Sequence, residues 1–600
     1  MLTTIRHRRM ESNHRDGLVY ALLGVAVFLL DLSPAIAVQP RPNVIVVMTD
    51  DQGYGDLGVK GNPLIKTPNL DAFAAQSAEM LNFYVHPVCA PTRACLMTGR
   101  YNYRTRCIDT YVGRAMMDTD EVTVAEILRS VGYRTGIFGK WHLGDNYPMR
   151  PMDQGFEESL VHRGGGIGQP SDPPGGSSYF DPLLVHNGKF VTTQGYCTDV
   201  YFEAAIRWMD VHHEEPFFAY IPTNAPHSPF QVDDNMMAPY KGADLNHARF
   251  PQSRGHKLPG SGNARKEVYA MITNIDDNFG KLMQFLDRRG LSENTIVCFL
   301  HDNGPNGRRY VRGYRGRKGE IYEAGIRSPL FIRWTGRIRP GQTSDRIAAH
   351  IDLLPTILAA CDVPQPEGLS LDGRSLLPLL LGESVGWPDR TLFFQWHRGD
   401  VPVLYHHFAA RSQDWKLLHA TRASDYGLHA PPEFELYHLS EDPFEEHDVA
   451  ARESAMLSRL KGQYEAWFTD VGKSRGYDPP RIYLGTPHEN PVVLTRQDWR
   501  CVSDGSGWEA DALGYWEVLV ARRASYGVRF RFPPKNVQRT ATLEVAGASR
   551  TQELAPGVSW CSFRLQLPAG PTRLEAMLHE GDAVQGPFQV DVIAEASVGR

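Results

Sequence analysis

The sequence predicts an α/β protein: a large mixed, mostly parallel sheet flanked by helices, then a small α+β subdomain, then an additional C-terminal β-sandwich. Three observations carry this. From residue 42 to about 364, β-rich apolar runs alternate with segments of helical spacing, as in a parallel sheet covered on both faces. From 371 to about 480 the pieces are shorter and more alternating. From about 485 onward, short strands separated by Pro/Gly turns dominate and helical spacing is scarce, the texture of a sandwich.

In chain order, residues 1–37 form an expected signal peptide, 38–370 the large α/β domain, 371–484 the α+β subdomain and linker, and 485–600 the sandwich. Arg6, Arg8, Arg9 and Arg15 make a basic start, 18–30 is an apolar run, and Ala35-Ile36-Ala37 supplies a small-residue cleavage pattern. The run is short for a bilayer span of about 20 residues. The expectation is a periplasmic or secreted protein, cleaved near Ala37, with no stable membrane span afterwards. Strands are expected at 44–48, 134–138, 217–221, 295–300 and 330–334, with helices at 124–131, 201–209 and 268–288. Residues 435–439 before Asp442-Pro443 make an edge strand and turn, and 454–468 a helix. The stretch 476–491, with four prolines, is the expected linker, and strands follow at 516–520, 527–532, 541–545, 560–567 and 589–593. The sandwich is expected to fold separately.

A chain of 600 residues, 42% hydrophobic and 22% charged, can build a large core. A net charge of −6 and a pI near 6.4 exclude general nucleic-acid binding, so anion recognition must be local. Eight cysteines are too few for a disulfide scaffold, although an exported chain permits pairs, with Cys501 and Cys561 the first to test.

Ligands of open α/β sheets bind beyond the carboxyl ends of the strands, and there this sequence places its chemistry. The first strand ends in Asp50-Asp51-Gln52-Gly53, and that at 295–300 leads into Asp302-Asn303-Gly304. Adjacent carboxylates repel unless a cation lies between them. Three carboxylates and an amide oxygen, without a Cys/His cluster, suit a hard cation, calcium ahead of zinc, with magnesium fitting the same donors. The strand at 134–138 runs into Gly139-Lys140-Trp141-His142-Leu143-Gly144, a fixed cation beside a titratable base. That at 217–221 leads to His227, held between Pro226 and Pro229. Residues 308–318 carry five arginines and Lys318, a run expected to steer anions. The Gly/Ser/Pro-rich stretch 163–181 is a long irregular loop expected to shape the substrate pocket.

Cys89-Ala90-Pro91-Thr92-Arg93 follows a C-x-P-x-R pattern. Arg93 lies one helical turn beyond Cys89, so both can face one ligand. Pro91 suits the start of a helix, whose N-terminus favours an anion.

Taken in order over about 42–470, these motifs, with Ala225-Pro226-His227, Arg315-Gly316-Arg317-Lys318-Gly319 and Asp372-Gly373-Arg374-Ser375, resemble the formylglycine-dependent sulfatases of the alkaline phosphatase superfamily. The resemblance implies that Cys89 is oxidised by a formylglycine-generating enzyme to Cα-formylglycine, whose hydrate attacks sulfur and later expels sulfate. It implies a calcium ion on Asp50, Asp51, Asp302 and Asn303, with modified Cys89 also facing it. Arg93 and Lys140 would hold the hydrate, His142 would be the base of the second step, and Lys318 and His227 would contact sulfate and the leaving oxygen, with His227 the acid. Ala324 and His301 depart from the usual pattern without replacing any of these groups. The expected activity is hydrolysis of sulfated small molecules or glycans. A phosphonate monoester or phosphodiester hydrolase is the alternative, and a catalytically silent glycan-binding protein is disfavoured by the intact residue set.

Overall fold

The computed structural model describes residues 41–173, 175–244, 262–383, 386–422, 425, 427–502 and 507–595, so the expected signal peptide lies outside the described residues. Six strands make the middle of a ten-stranded sheet: β1 (Asn43–Thr49), β2 (Arg134–Lys140), β3 (Glu158–His162), β4 (Phe217–Pro222), β5 (Thr295–His301) and β6 (Leu330–Trp334). Their order is β6-β5-β1-β4-β2-β3, parallel from β5 to β3, with β6 antiparallel against β5. The sheet is therefore mixed, as expected. Short edge segments flank it, including the hairpin Leu183–His186 with Lys189–Thr192, which the sequence reading missed.

Side chains alternate across the sheet with the strand period of two. Val44, Val46 and Met48 of β1 share a core with Ala90, Ala94 and Met97 of helix α1 (Cys89–Thr98) on one face. Ile45 and Val47 share another with Tyr201 and Phe202 of α2 (Cys197–Val211) and Ile275 and Phe279 of α3 (Gly262–Arg288) on the opposite face. Burial on both faces explains why β1 reads as a continuous apolar run. Because β1, β2, β4 and β5 are parallel, the residues that follow Thr49, Lys140, Pro222 and His301 emerge along one edge.

The α+β region holds a four-stranded antiparallel sheet, Leu392–Gln395, Phe408–Arg411, Trp415–His419 and Glu435–His438, against α4 (Ser454–Val471). Phe408 stacks on Tyr464 of α4 with ring centroids 3.7 Å apart.

C-terminal to this lie a seven-stranded and a four-stranded sheet with one shared core, to which Trp516, Val518 and Leu543 contribute from one sheet and Tyr526, Val528 and Phe530 from the other. That core also takes in Tyr111, Val112, Met116 and Met149 from the first half of the chain. The expected linker is not simply a linker: Ile482–Leu484 is a strand, parallel to Gly514–Val520. Gly570–Glu580 is a central strand despite its helix-favouring Leu-Glu-Ala-Met-Leu, because pairing on both sides outweighs local propensity. The Cys501–Cys561 bridge is not formed: Cys501 lies on the seven-stranded sheet and Cys561 on the four-stranded one. No helix among the described residues is long and apolar enough to cross a membrane.

Candidate active site

The turn after β1 is shaped by what it must hold. Asp51 sits in the left-handed region (φ 62°), which aspartate tolerates better than most residues. Its N–H donates to Asp302 Oδ1 at 3.2 Å, joining the ends of β1 and β5. Arg309, 2% exposed, donates to Asp56 Oδ2 at 2.9 Å and to the Asp51 carbonyl at 2.7 Å, and Asp56 also accepts from Gly53 N–H. Arg309 thus braces the turn. Arg315 lies over the Tyr322 ring and bonds Tyr437, and Arg317 pairs with Glu320. Arg309, Arg315 and Arg317 are thus engaged in contacts within the fold, while Lys318, at the end of the same run, reaches Asp51.

Helix α1 begins at Cys89, with extended Val88 before it and Gly99 (φ 67°) closing its other end. Pro91 is its third residue rather than its first, still within the turn whose N–H groups have no intrahelical partner. Arg93, one turn on, is fully buried; it donates to Asp302 Oδ2 at 2.8 Å and to the Lys140 carbonyl at 2.7 Å, and lies 3.8 Å from Asp50 Oδ2. Lys140 Nζ donates to Asp50 Oδ2. Asp51 Oδ1 accepts from Lys318 Nζ at 2.6 Å and from Asn303 Nδ2 at 2.9 Å.

Three carboxylates therefore meet three cations, and Asp50, Asp302 and the Cys89 sulfur offer ligand atoms within 4.8 Å of one another. Three buried oxygens still have no partner: Asp50 Oδ1, Asp51 Oδ2 and Asn303 Oδ1. Unsatisfied buried oxygens are costly, and hard oxygen donors in this number fit a divalent cation such as calcium. Burial and the neighbouring Asp50 push Asp302 up to about 7. Burial works the same way on Asp51, but Lys318 and His227 outweigh it and hold that carboxyl well below the usual range.

His142 (φ 61°) has Nε2 2.6 Å from the Thr110 carbonyl, which requires the proton on Nε2 and leaves Nδ1, unpartnered and buried, with a free lone pair. Burial and Lys140 hold its pKa well below the ordinary value, so the ring is neutral. His227 donates from Nδ1 to the Ser228 carbonyl at 2.6 Å and presents Nε2 3.9 Å from Asp51 Oδ2, and burial lowers its pKa to about 3. Burial opposes the charge of Lys318, but contact with Asp51 outweighs it and raises its pKa, so it stays a cation.

All ten residues singled out by sequence are thus gathered at one edge of the sheet. The sequence reading did not foresee how the glycine-rich loop closes over them. A Cβ on Gly165 would lie 2.7 Å from His142 Nε2, and one on Gly166 3.0 Å from His227, so only glycine lets this backbone approach both rings. Thr110 was likewise missed, because its contribution is a backbone carbonyl that any residue could supply.

Residues 42–363 match the family model described as Sulfatase, and 316–466 that described as N-sulphoglucosamine sulphohydrolase, C-terminal. Arylsulfatase A of Homo sapiens is 34% identical over 504 residues, spanning 78% of this chain and 94% of its own. N-acetylgalactosamine-6-sulfatase of Mus musculus is 32% identical over 403 residues, 62% of this chain and 71% of that protein. Among solved structures, Ps i-CgsB in complex with k-i-k-neocarrahexaose is similar with a TM-score of 0.61 at 27% identity, covering 73% of this chain and 95% of that one. With one family model spanning more than half of its length and arylsulfatase A matched almost throughout, the chain belongs to the sulfatase family and is a sulfate ester hydrolase.

Proposed function

We propose that this chain is an exported sulfatase acting on sulfated carbohydrate, with a formylglycine made from Cys89 as nucleophile and calcium held by Asp50, Asp51, Asp302 and Asn303. The observation that carries the reading is the set of three unpartnered buried oxygens facing the start of α1 among Arg93, Lys140 and Lys318. Cys89 is 2% exposed, so a formylglycine-generating enzyme must reach it before the chain folds. The carbohydrate class is supported by relatives named N-acetylgalactosamine-6-sulfatase and by the similar structure in complex with k-i-k-neocarrahexaose. Export is supported by the basic-then-apolar start and Ala35-Ile36-Ala37.

When bound, the cation supplies electrophilic polarisation of sulfate oxygens and of the nucleophile. Formed from Cys89, the aldehyde hydrate would supply hydroxyl groups for the nucleophilic chemistry at the start of α1. Arg93 and Lys140 orient that group and compensate the negative charge around it. His142 takes a proton at Nδ1, the nitrogen its bond to Thr110 leaves free. Lys318 places a permanent cation against the sulfate. His227, whose Nδ1–H stays on the Ser228 carbonyl, gives a proton from Nε2 to the departing alcohol oxygen in its doubly protonated form.

Adding calcium to chelator-stripped protein is expected to raise Tm, the stabilisation growing to about 2.7 kcal/mol at a hundredfold excess over Kd. Differential scanning calorimetry measures this, and no response to either calcium or magnesium would remove the cation from the account. Gly165→Ala is expected to lower kcat by about a hundredfold in a folded protein, because the added methyl displaces His142; wild-type kcat would show that the loop yields. His227→Ala is expected to slow sugar-sulfate cleavage by about two to four powers of ten and nitrophenyl-sulfate cleavage far less, because only the poor leaving group needs the proton. With the His227 pKa near 3 in the free protein, its protonated fraction grows as pH falls, so the sugar-sulfate rate should rise relative to the nitrophenyl rate on the acid side. Equal losses on both substrates would assign His227 to sulfate binding.

A further inference from the structure

The C-terminal sheets reach the catalytic edge just after one of their strands. After the strand Val492–Thr495, residues 496–500 turn inward, and Gln497, Asp498 and Trp499 are almost wholly buried. Gln497 touches the loop at residues 106–117 twice: its backbone carbonyl accepts from Gly113 N–H at 2.9 Å, and its side-chain Nε2 donates to the Thr110 carbonyl at 2.9 Å. Thr110 is the carbonyl on which His142 Nε2 rests at 2.6 Å. Arg106 ties down the far side of the loop by donating to the Gly113 carbonyl at 2.9 Å.

Asp498 makes a parallel connection. Its Oδ2 accepts from Asp145 N–H at 3.3 Å, and Asp145 Oδ1 accepts from Gly164 N–H at 2.9 Å. Gly164 opens the glycine run that lies against His142 and His227. Two side chains more than three hundred residues away in sequence therefore hold both the acceptor that fixes His142 and the loop that covers it.

We infer that Gln497 is a positioning residue for His142, and that the C-terminal sheets are in this way part of the active site rather than an appendage; this rests on the proposed role of His142 as a base. A carbonyl that accepts from two donors on opposed elements is pinned in position, and with it the ring whose Nδ1 must face the nucleophile. Without the Gln497 amide, Thr110 keeps only its bond to the ring it is meant to orient. Glutamine rather than glutamate suits the position, because only a donor can face a carbonyl.

The test uses full-length protein carrying Gln497→Ala or Gln497→Met (the latter similar in length but without a donor), His142→Ala, and the double variant His142→Ala/Gln497→Met. Gln497→Met is expected to lower kcat by about tenfold to a hundredfold, the usual scale for a group supporting a functional side chain, with KM within about twofold. Because Gln497 acts through His142, adding Gln497→Met to His142→Ala should cost nothing further. A crystal structure of Gln497→Met should show the His142 ring shifted off Thr110, a readout independent of activity. Wild-type kcat in folded Gln497→Met, an unmoved His142 ring, or losses that multiply in the double variant would overturn the inference while leaving the base role standing. Undiminished turnover in His142→Ala would overturn the base role and this inference with it.

Discussion

Cys89→Ala is expected to abolish sulfate ester hydrolysis, by on the order of 10⁴-fold or more, the scale at which an enzyme feels the loss of its nucleophile. The fold should survive, since the change removes one sulfur atom from the first turn of α1 and leaves the Arg93 and Asp302 pairing in place. Cys89→Ser keeps one hydroxyl but not the second that would expel sulfate, so it is expected to retain sulfate covalently after a single turnover, visible in the intact mass. Substantial steady-state turnover by Cys89→Ala would show that the reacting group lies elsewhere.

Arg93→Ala is the second large effect, and it falls on stability as well as on rate. Arg93 is fully buried, bonded to Asp302 and beside Asp50, and its other arm holds the Lys140 carbonyl at the end of β2. Deleting it removes the guanidinium that bonds Asp302 and lies beside Asp50, leaving two buried carboxylates with less positive charge to answer them. Breaking a buried pair by removing one partner costs about 3–5 kcal/mol, enough to lower Tm by several degrees and to abolish activity in whatever remains folded. Denaturant unfolding measures the first and steady-state kinetics the second. Arg93→Lys should recover part of the stability, because the charge returns without the second arm. A stability change below about 1 kcal/mol in Arg93→Ala would mean that the carboxylates are neutralised by other groups.

Much of the sheet was legible because its strands are buried on both faces. Asn43–Thr49 and Thr295–His301 read as strands on composition alone, and the carboxylates after them announced a site through their order. What escaped the sequence shares a physical cause: the information lies in approach rather than in residue type. Gly165 reads as one glycine among several until its Cα is seen against His142. Arg309 reads as part of a basic patch, and only its burial against Asp56 makes it a brace. Gln497 is an ordinary amide in a strand-rich region, and nothing local marks it as a neighbour of Thr110. Gly570–Glu580 carries helix-forming residues, and its strand character comes from partners that sequence periodicity does not reveal.

The central claim is that Cys89 acts as formylglycine. Mass spectrometry of the peptide spanning residues 89–93, taken from active protein, tests it most directly. The account predicts a peptide lighter by the difference between a thiol-bearing CH₂SH and an aldehyde CHO, trapped by a carbonyl reagent, with specific activity proportional to the converted fraction. Full specific activity from protein whose Cys89 is wholly an unmodified thiol would contradict it.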